Sequence, residues 1–263
     1  MKLTIVTVNY NNAQGLELTL KSVLDLVSRS GLSFEFIIVD GNSTDASLHI
    51  IDCYYNSLNK YCDDFKVISE QDSGIYDAMN KGISFGTGDY VIFMNSGDWF
   101  TEEAAVILDD FFLQKQTFSD EIYVFGISSE LNGQRVKVKK FHSEHDLRKY
   151  PAVPHQSTFI NLELHKNKMY NKDYKILADY NFFCDCYRSG KRFIYMSDSV
   201  ISVFSQGGIS TNSKTQMKFI REFVSIQYKY FNKVRWFTVF GLITKVWVKT
   251  GSAVDRFLRG FLN

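Results

Sequence analysis

Leu3-Thr4-Ile5-Val6-Thr7-Val8, followed at once by Asn9-Tyr10-Asn11-Asn12, is the stretch that decides the fold. The run is apolar and β-branched, and it stops abruptly in polar residues. Phe34 to Val39 repeats the arrangement and ends in Asp40-Gly41-Asn42-Ser43. Phe65 to Ile68 is a shorter third run, and Tyr90 to Met94 is a fourth that ends in Asn95-Ser96-Gly97-Asp98. Apolar residues at helical spacing separate the runs: Leu16, Leu20, Val23, Leu24 and Val27, then Ile75, Ala78, Met79, Gly82 and Ile83. Ser43 or Thr44 is placed to cap a further helix reaching through Ile51. Continuous apolar strands alternating with helices predict an α/β fold, a mostly parallel sheet covered on both faces.

Polar residues gather behind these strands: Asn9, Asp40, Asp72 and Asp98. Each one alone serves an ordinary turn. Four at one sheet edge form a site, because open α/β sheets bind ligands at the carboxyl ends of their strands, where helix N-termini also point. Beyond residue 100, Glu103 to Leu113 and Phe182 to Tyr187 read as helices. Ile122 to Ile127, Val136 to Lys139 and Phe193 to Met196 read as strands.

Apolar residues make up 45% of the 263 and charged residues 22%, which excludes a disordered chain. The length suits one large domain with a C-terminal extension. Residues 1–213 carry 20 Lys/Arg against 27 Asp/Glu, a net of −7, and residues 214–263 carry 10 against 2, a net of +8. That asymmetry assigns a partner to the tail, and no nucleic acid is expected on the body. Cys53, Cys62, Cys184 and Cys186 show no metal-like spacing and read as reduced thiols. With no signal segment ahead of the first strand, the expected location is cytoplasmic.

Four blocks now carry a resemblance: Thr7-Val8-Asn9-Tyr10-Asn11, Val39 to Asp45, Asp72-Ser73-Gly74-Ile75-Tyr76-Asp77-Ala78-Met79-Asn80-Lys81-Gly82, and Thr87 to Asp98. In order and spacing they resemble the start of a family 2 glycosyltransferase of the GT-A fold. Pro154-His155-Gln156-Ser157, Ala178-Asp179-Tyr180 and Gly207-Gly208-Ile209-Ser210 are similar to a subgroup that builds bacterial surface polysaccharides. The resemblance implies a Rossmann-like donor half over 1–100, an acceptor half over 101–213, and an enzyme that takes a sugar from a nucleotide-sugar donor with inversion. It implies donor contacts from Thr7, Asn9, Asp40, Asp72, Asn80, Lys81 and Asn95, with Asp40 accepting from the edge of the nucleobase. Lys81 also lies four residues after Asp77, the spacing of a helical ion pair. Asp98 is the expected ligand of Mg²⁺ or Mn²⁺, which would neutralise the departing diphosphate. The family's Asp-x-Asp pattern is broken here, since Ser96 stands in the first acid's place. Inverting displacement needs a general base, and the resemblance puts it at Asp179, with Asp185 the weaker choice. His155 and Gln156 are expected near the acceptor or diphosphate.

Trp236, Val239, Phe240, Ile243, Val246 and Trp247 share one helical stripe among Lys233, Arg235, Lys245, Lys249, Arg256 and Arg259. This predicts a basic amphipathic tail over 214–263. Its segment 233–259 would lie in a membrane interface on the inner face of the cell membrane, facing a lipid-linked glycan acceptor. Packing on the catalytic domain is the other reading of the same stripe. Two other functions fit parts of the pattern: a sugar-phosphate nucleotidyltransferase, and a membrane-attached partner without activity.

Overall fold

The computed structural model describes residues 1–113, 120–131, 134–137, 143–205, 215–234 and 239. The Gly207 to Ser210 block and the tail stripe lie outside those residues, Val239 excepted. The strands are β1 (Lys2–Asn9), β2 (Ser33–Asp40), β3 (Asp64–Ser69), β4 (Tyr90–Phe93), β5 (Trp99–Phe100), β6 (Glu121–Leu131), β7 (Gln134–Lys137), β8 (Thr158–Asn161) and β9 (Arg192–Ser205). Among the described residues they form one sheet in the order β3-β2-β1-β4-β8-β6-β9-β5, with β7 on the side of β6.

The first four strands are parallel neighbours, and β6 runs parallel to β9. Short β8 joins the two groups by pairing antiparallel with both β4 and β6. From β1 the chain moves outward to β2 and β3, then returns to lay β4 on the other side of β1. Connections diverge at that point, so a crevice opens at the carboxyl ends of β1 and β4.

Burial explains the strand composition. Leu3 and Ile5 of β1, with Phe34, Phe36 and Ile38 of β2, face a core closed by α1 (Ala13–Arg29), α2 (Ser47–Tyr61) and α4 (Ala104–Phe112). Val6, Val8, Ile37 and Val39 point the other way. There the cover is α3 (Ile75–Phe85), α5 (Leu162–Asn167), α6 (Ala178–Arg188) and α7 (Gln216–Phe231). Each such side chain gains about 1.5–3 kcal/mol by full burial, so a strand apolar on both faces is held only in the middle of a sandwich of this kind.

Helix α7 lies beyond the expected boundary at 213/214 and sends Ile220, Phe223 and Ile226 into the core. Val239, the described residue of the tail stripe, is buried in that same cluster. No described helix is long and apolar enough to cross a membrane.

Candidate active site

The turn after β2 is built around Asp40, which is fully buried. Its carboxylate accepts from Asn9 Nδ2 (2.8 Å), the Ser43 amide (2.8 Å), the Ser43 hydroxyl (2.6 Å) and the Ser69 hydroxyl (2.9 Å). A carboxylate offers about four lone-pair positions, and these donors use them. Asp40 therefore ties three strand ends together, and it has no position left with which to read a nucleobase. Ser43 is its partner and not a helix cap. Helix α2 starts later, at Ser47, whose amide is held by Asp45 at 3.0 Å. Thr7, also fully buried, donates to the Met94 carbonyl at 2.8 Å and stitches β1 to the end of β4.

Asp72 is half-buried, and its carboxylate is less fully engaged than that of Asp40. One oxygen accepts from the Gly74 amide at 2.8 Å. The other lies 2.6 Å from where a Cβ on Gly41 would sit, so residue 41 must be glycine for Asp72 to close over the turn. The ring of Tyr10, 66% exposed, flanks the same spot.

Two expected donor contacts point elsewhere. Asn80 exchanges two hydrogen bonds of 2.9 Å with the backbone of Tyr170, which clamps that loop to α3. Lys81 reaches Glu70 at 2.7 Å and the Gln71 carbonyl at 2.9 Å. The helical pair with Asp77 does not form, because Asp77 is taken by Lys172 at 2.8 Å.

The turn after β4 places Asp98. Gly97 has φ of 101°, a backbone state that glycine enters at little cost, and the Asp98 amide bonds back to the Asn95 carbonyl at 2.9 Å. Ser96 accepts from Asn12 and supplies no charge. Asp98 is 9% exposed, with one oxygen accepting from Gln156 Nε2 and the other from the Ser205 amide, both at 3.2 Å. Burial pushes its carboxyl up to about 6, against the smaller pull of His155 and the two hydrogen bonds. A buried carboxylate so poorly compensated suits a divalent cation, which supplies the missing positive charge. Among the described residues no group of three or more acids, histidines and cysteines is arranged to hold a metal ion, so a cation here would draw its remaining ligands from substrate oxygens and water. Asn95 Oδ1, buried without a partner, is a further oxygen next to the turn.

His155 connects this turn to Asp179. Asn95 Nδ2 lies 3.1 Å from His155 Nε2, and His155 Nδ1 lies 3.0 Å from Asp179 Oδ2. A single tautomer satisfies both contacts: Asn95 donates to Nε2, and Nδ1–H donates to the carboxylate. Asp179 Oδ1 accepts from the Tyr76 hydroxyl at 3.0 Å and from the Tyr180 amide at 2.8 Å. Three protein donors thus fix the side chain, and one position on Oδ2 stays open. Asp185 lies further along α6 in a salt bridge with Lys168. A cavity of about 210 Å³ is lined in part by Gly74, Tyr76, Lys172, Lys175, Ile176 and Lys218, and so shares Tyr76 with the surroundings of Asp179.

Sequence reading missed Tyr76 and Gly41 as parts of the site, although both stand inside the quoted blocks. It also missed Glu222, one of two acids in the basic tail. Its carboxylate accepts the amides of Lys175, Ile176 and Leu177 at 2.8, 3.0 and 2.9 Å, next to α6.

Comparison with known proteins agrees with this arrangement. A PGL/p-HBAD biosynthesis glycosyltransferase of Mycobacterium bovis is 25% identical over 207 residues, 77% of each chain. An uncharacterised glycosyltransferase of Mycobacterium tuberculosis is 31% identical over 190 residues, 68% of this chain and 66% of its own. The structure of S. aureus TarS 1–349 with UDP-GlcNAc superposes with a TM-score of 0.64 at 20% identity, over 86% of this chain and 65% of that one. The mannosyltransferase PcManGT of Pyrobaculum calidifontis, with GDP-Man and Mn²⁺, gives 0.63 at 15% identity over 98% and 78%. The profile of Glycosyl transferase family 2 matches residues 4–192, the span that holds the strand-end turns, His155 and Asp179, and the chain belongs to that family, with a GT-A fold.

Proposed function

We propose that this glycosyltransferase moves a sugar from a nucleoside-diphosphate donor to a hydroxyl of a lipid-linked bacterial glycan, with inversion at the anomeric carbon. The observation that carries the reading is the short chain Asn95–His155–Asp179, with Gln156 on Asp98 beside it. One turn of backbone thereby couples a carboxylate suited to a cation with a carboxylate suited to a proton. Tyr10, Gly41 and Asp72 form the nucleoside side, the exposed ring offering a stacking face. Asp179 takes the proton of the attacking hydroxyl on the open position of Oδ2, while His155 and Tyr76 keep the carboxylate aimed. Asp98 would hold a divalent ion together with the donor's diphosphate, and that ion would supply the charge that lets the nucleoside diphosphate leave. The lysine-lined cavity beyond Tyr76 is the acceptor side, where a phosphate-bearing lipid carrier meets positive charge.

TarS binds UDP-GlcNAc and PcManGT binds GDP-Man, so both nucleotides serve as probes. In Mn²⁺, UDP or GDP at about 100 times its dissociation constant adds about 2.7 kcal/mol to the folded state, read as a rise in melting temperature that EDTA abolishes. A flat response to both nucleotides would sink the reading.

Membrane attachment through 233–259 is a separate part of the proposal. The full chain is expected to sediment with vesicles containing anionic lipid at low ionic strength, and to be released near 1 M salt, where screening shortens the reach of charge to about 3 Å. A chain that sediments with neither anionic nor neutral vesicles would leave packing on the domain, as at Val239, to account for the stripe.

A further inference from the structure

Glu222 sits in the middle of α7, outside the family-matched residues, and is only 8% exposed. No cation pairs with it among the described contacts. Its partners are three consecutive backbone amides, one on Oε1 and two on Oε2, all between 2.8 and 3.0 Å. Consecutive N–H groups converging on one anion make a nest, and charge-assisted bonds of this kind are among the stronger ones available to a protein. The amides belong to Lys175, Ile176 and Leu177, the last residues before α6. Leu177 is the N-cap of that helix and offers no side-chain cap of its own. Asp179 stands two residues further on.

Other contacts point the same way. The Ile176 carbonyl accepts from the Tyr76 hydroxyl at 2.7 Å, and the same hydroxyl touches Asp179. Peptide 176 is thus gripped from one side by α7 and from the other by α3. Further along, Gln227 bonds the Tyr180 hydroxyl and the Leu147 carbonyl, Tyr230 reaches Asn181, and the rings of Tyr180 and Phe223 stack 5.8 Å apart. Those contacts dock α7 on α6. Glu222 alone among them holds the segment from which Asp179 is aimed.

We infer that Glu222 is a positioning residue for transfer: its carboxylate fixes the 175–177 backbone and through it the direction of Asp179. The inference rests on Asp179 being the base. A 1 Å error in a base costs rate while leaving the nucleotide side untouched. Glutamine at 222 keeps the volume but turns an NH₂ toward amides that also donate, so part of the nest fails.

The test uses the full chain with Glu222→Gln, Asp179→Asn and the two combined. Water serves as acceptor, and release of UDP from UDP-GlcNAc and of GDP from GDP-mannose is followed in Mn²⁺. Glu222→Gln is expected to slow release about tenfold and to leave UDP and GDP affinity within about twofold, the pattern of a lost transition-state contact. On the Asp179→Asn background it should add less than about twofold, because residues that act as one unit are not additive. Hydrogen exchange at amides 175–177 should accelerate about tenfold or more, with the amides of β1 to β4 unchanged. Should the glutamine variant not fold, Glu222→Asp, which keeps the charge on a shorter arm, carries the same comparison. Effects that multiply on the Asp179→Asn background, or exchange that accelerates throughout the sheet, would overturn the inference and leave Glu222 a general stabilising group. Parental release by Glu222→Gln would overturn it while leaving the base in place. Parental release by Asp179→Asn removes the base itself, and the inference with it.

Discussion

Asp179→Asn is expected to bind UDP or GDP as the parent does and to lose transfer by about 10²–10⁴, the usual contribution of a general base. The amide keeps the outline of the carboxylate and can still accept from Tyr76 and the Tyr180 amide on its oxygen. It presents an NH₂ where His155 Nδ1–H now donates, and it has no basic lone pair for the acceptor's proton. Paired measurements separate three outcomes. Normal affinity with lost turnover supports the base. Lost affinity would make Asp179 a donor or structural contact. Normal turnover would move the role to another acid and break the assignment at this position.

Asp98→Asn is expected to lower transfer by about 10²–10³, the scale seen when one preorganised group that stabilises developing charge is removed. Titration calorimetry should show Mn²⁺-dependent UDP or GDP binding in the parent and not in the variant. Stability should move the opposite way. Burial raises the Asp98 carboxyl from 3.8 to about 6, so the folded state holds a proton more tightly than the unfolded chain. The stability linked to that proton is full below about pH 4 and is lost as pH rises through about 6, a cost of about 3 kcal/mol at neutral pH. Asparagine escapes that cost but accepts through one oxygen, losing a hydrogen bond worth about 1 kcal/mol. The burial cost is the larger quantity. At pH 7.5 without divalent ions the variant should melt about 4–8 °C above the parent, and the gap should close toward pH 4. Mn²⁺-dependent binding that survives would remove Asp98 from the metal role, and a variant that melts lower at pH 7.5 would show that the lost hydrogen bond outweighs the burial cost.

The parallel half was legible because its strands are buried on both faces. Runs such as Leu3 to Val8 are hard to read any other way once helical spacing separates them, and their polar endings mark the crevice. Strand β8, four residues long, and β5, two residues long, carry too little pattern to separate from loop. Within the site, the residue types were legible and their division of labour was not. Asp40 and Asp72 look alike in the sequence, both acids near a glycine. Their difference arises from Ser43 and Ser69 closing on the first while the second stays at the surface. Asn80 lies one turn after Tyr76 on the same face of α3, yet it meets the backbone of Tyr170 while Tyr76 reaches Asp179, and Lys81 turns to Glu70. Glu222 was beyond reach because its partners are some 45 residues earlier, a separation that neither spacing nor composition encodes.

That separation gives the protein a timetable. On a ribosome adding about 5–20 residues per second, Leu177 is made about 2–9 s before Glu222. The side-chain hydrogen bonds of Asn9, Asp40 and Asp72 use no partner later than Gly74. The loop ahead of Asp179 waits for the last described helix. A nascent chain therefore holds the partners of these three side chains before the carboxylate that fixes residues 175–177 has been made.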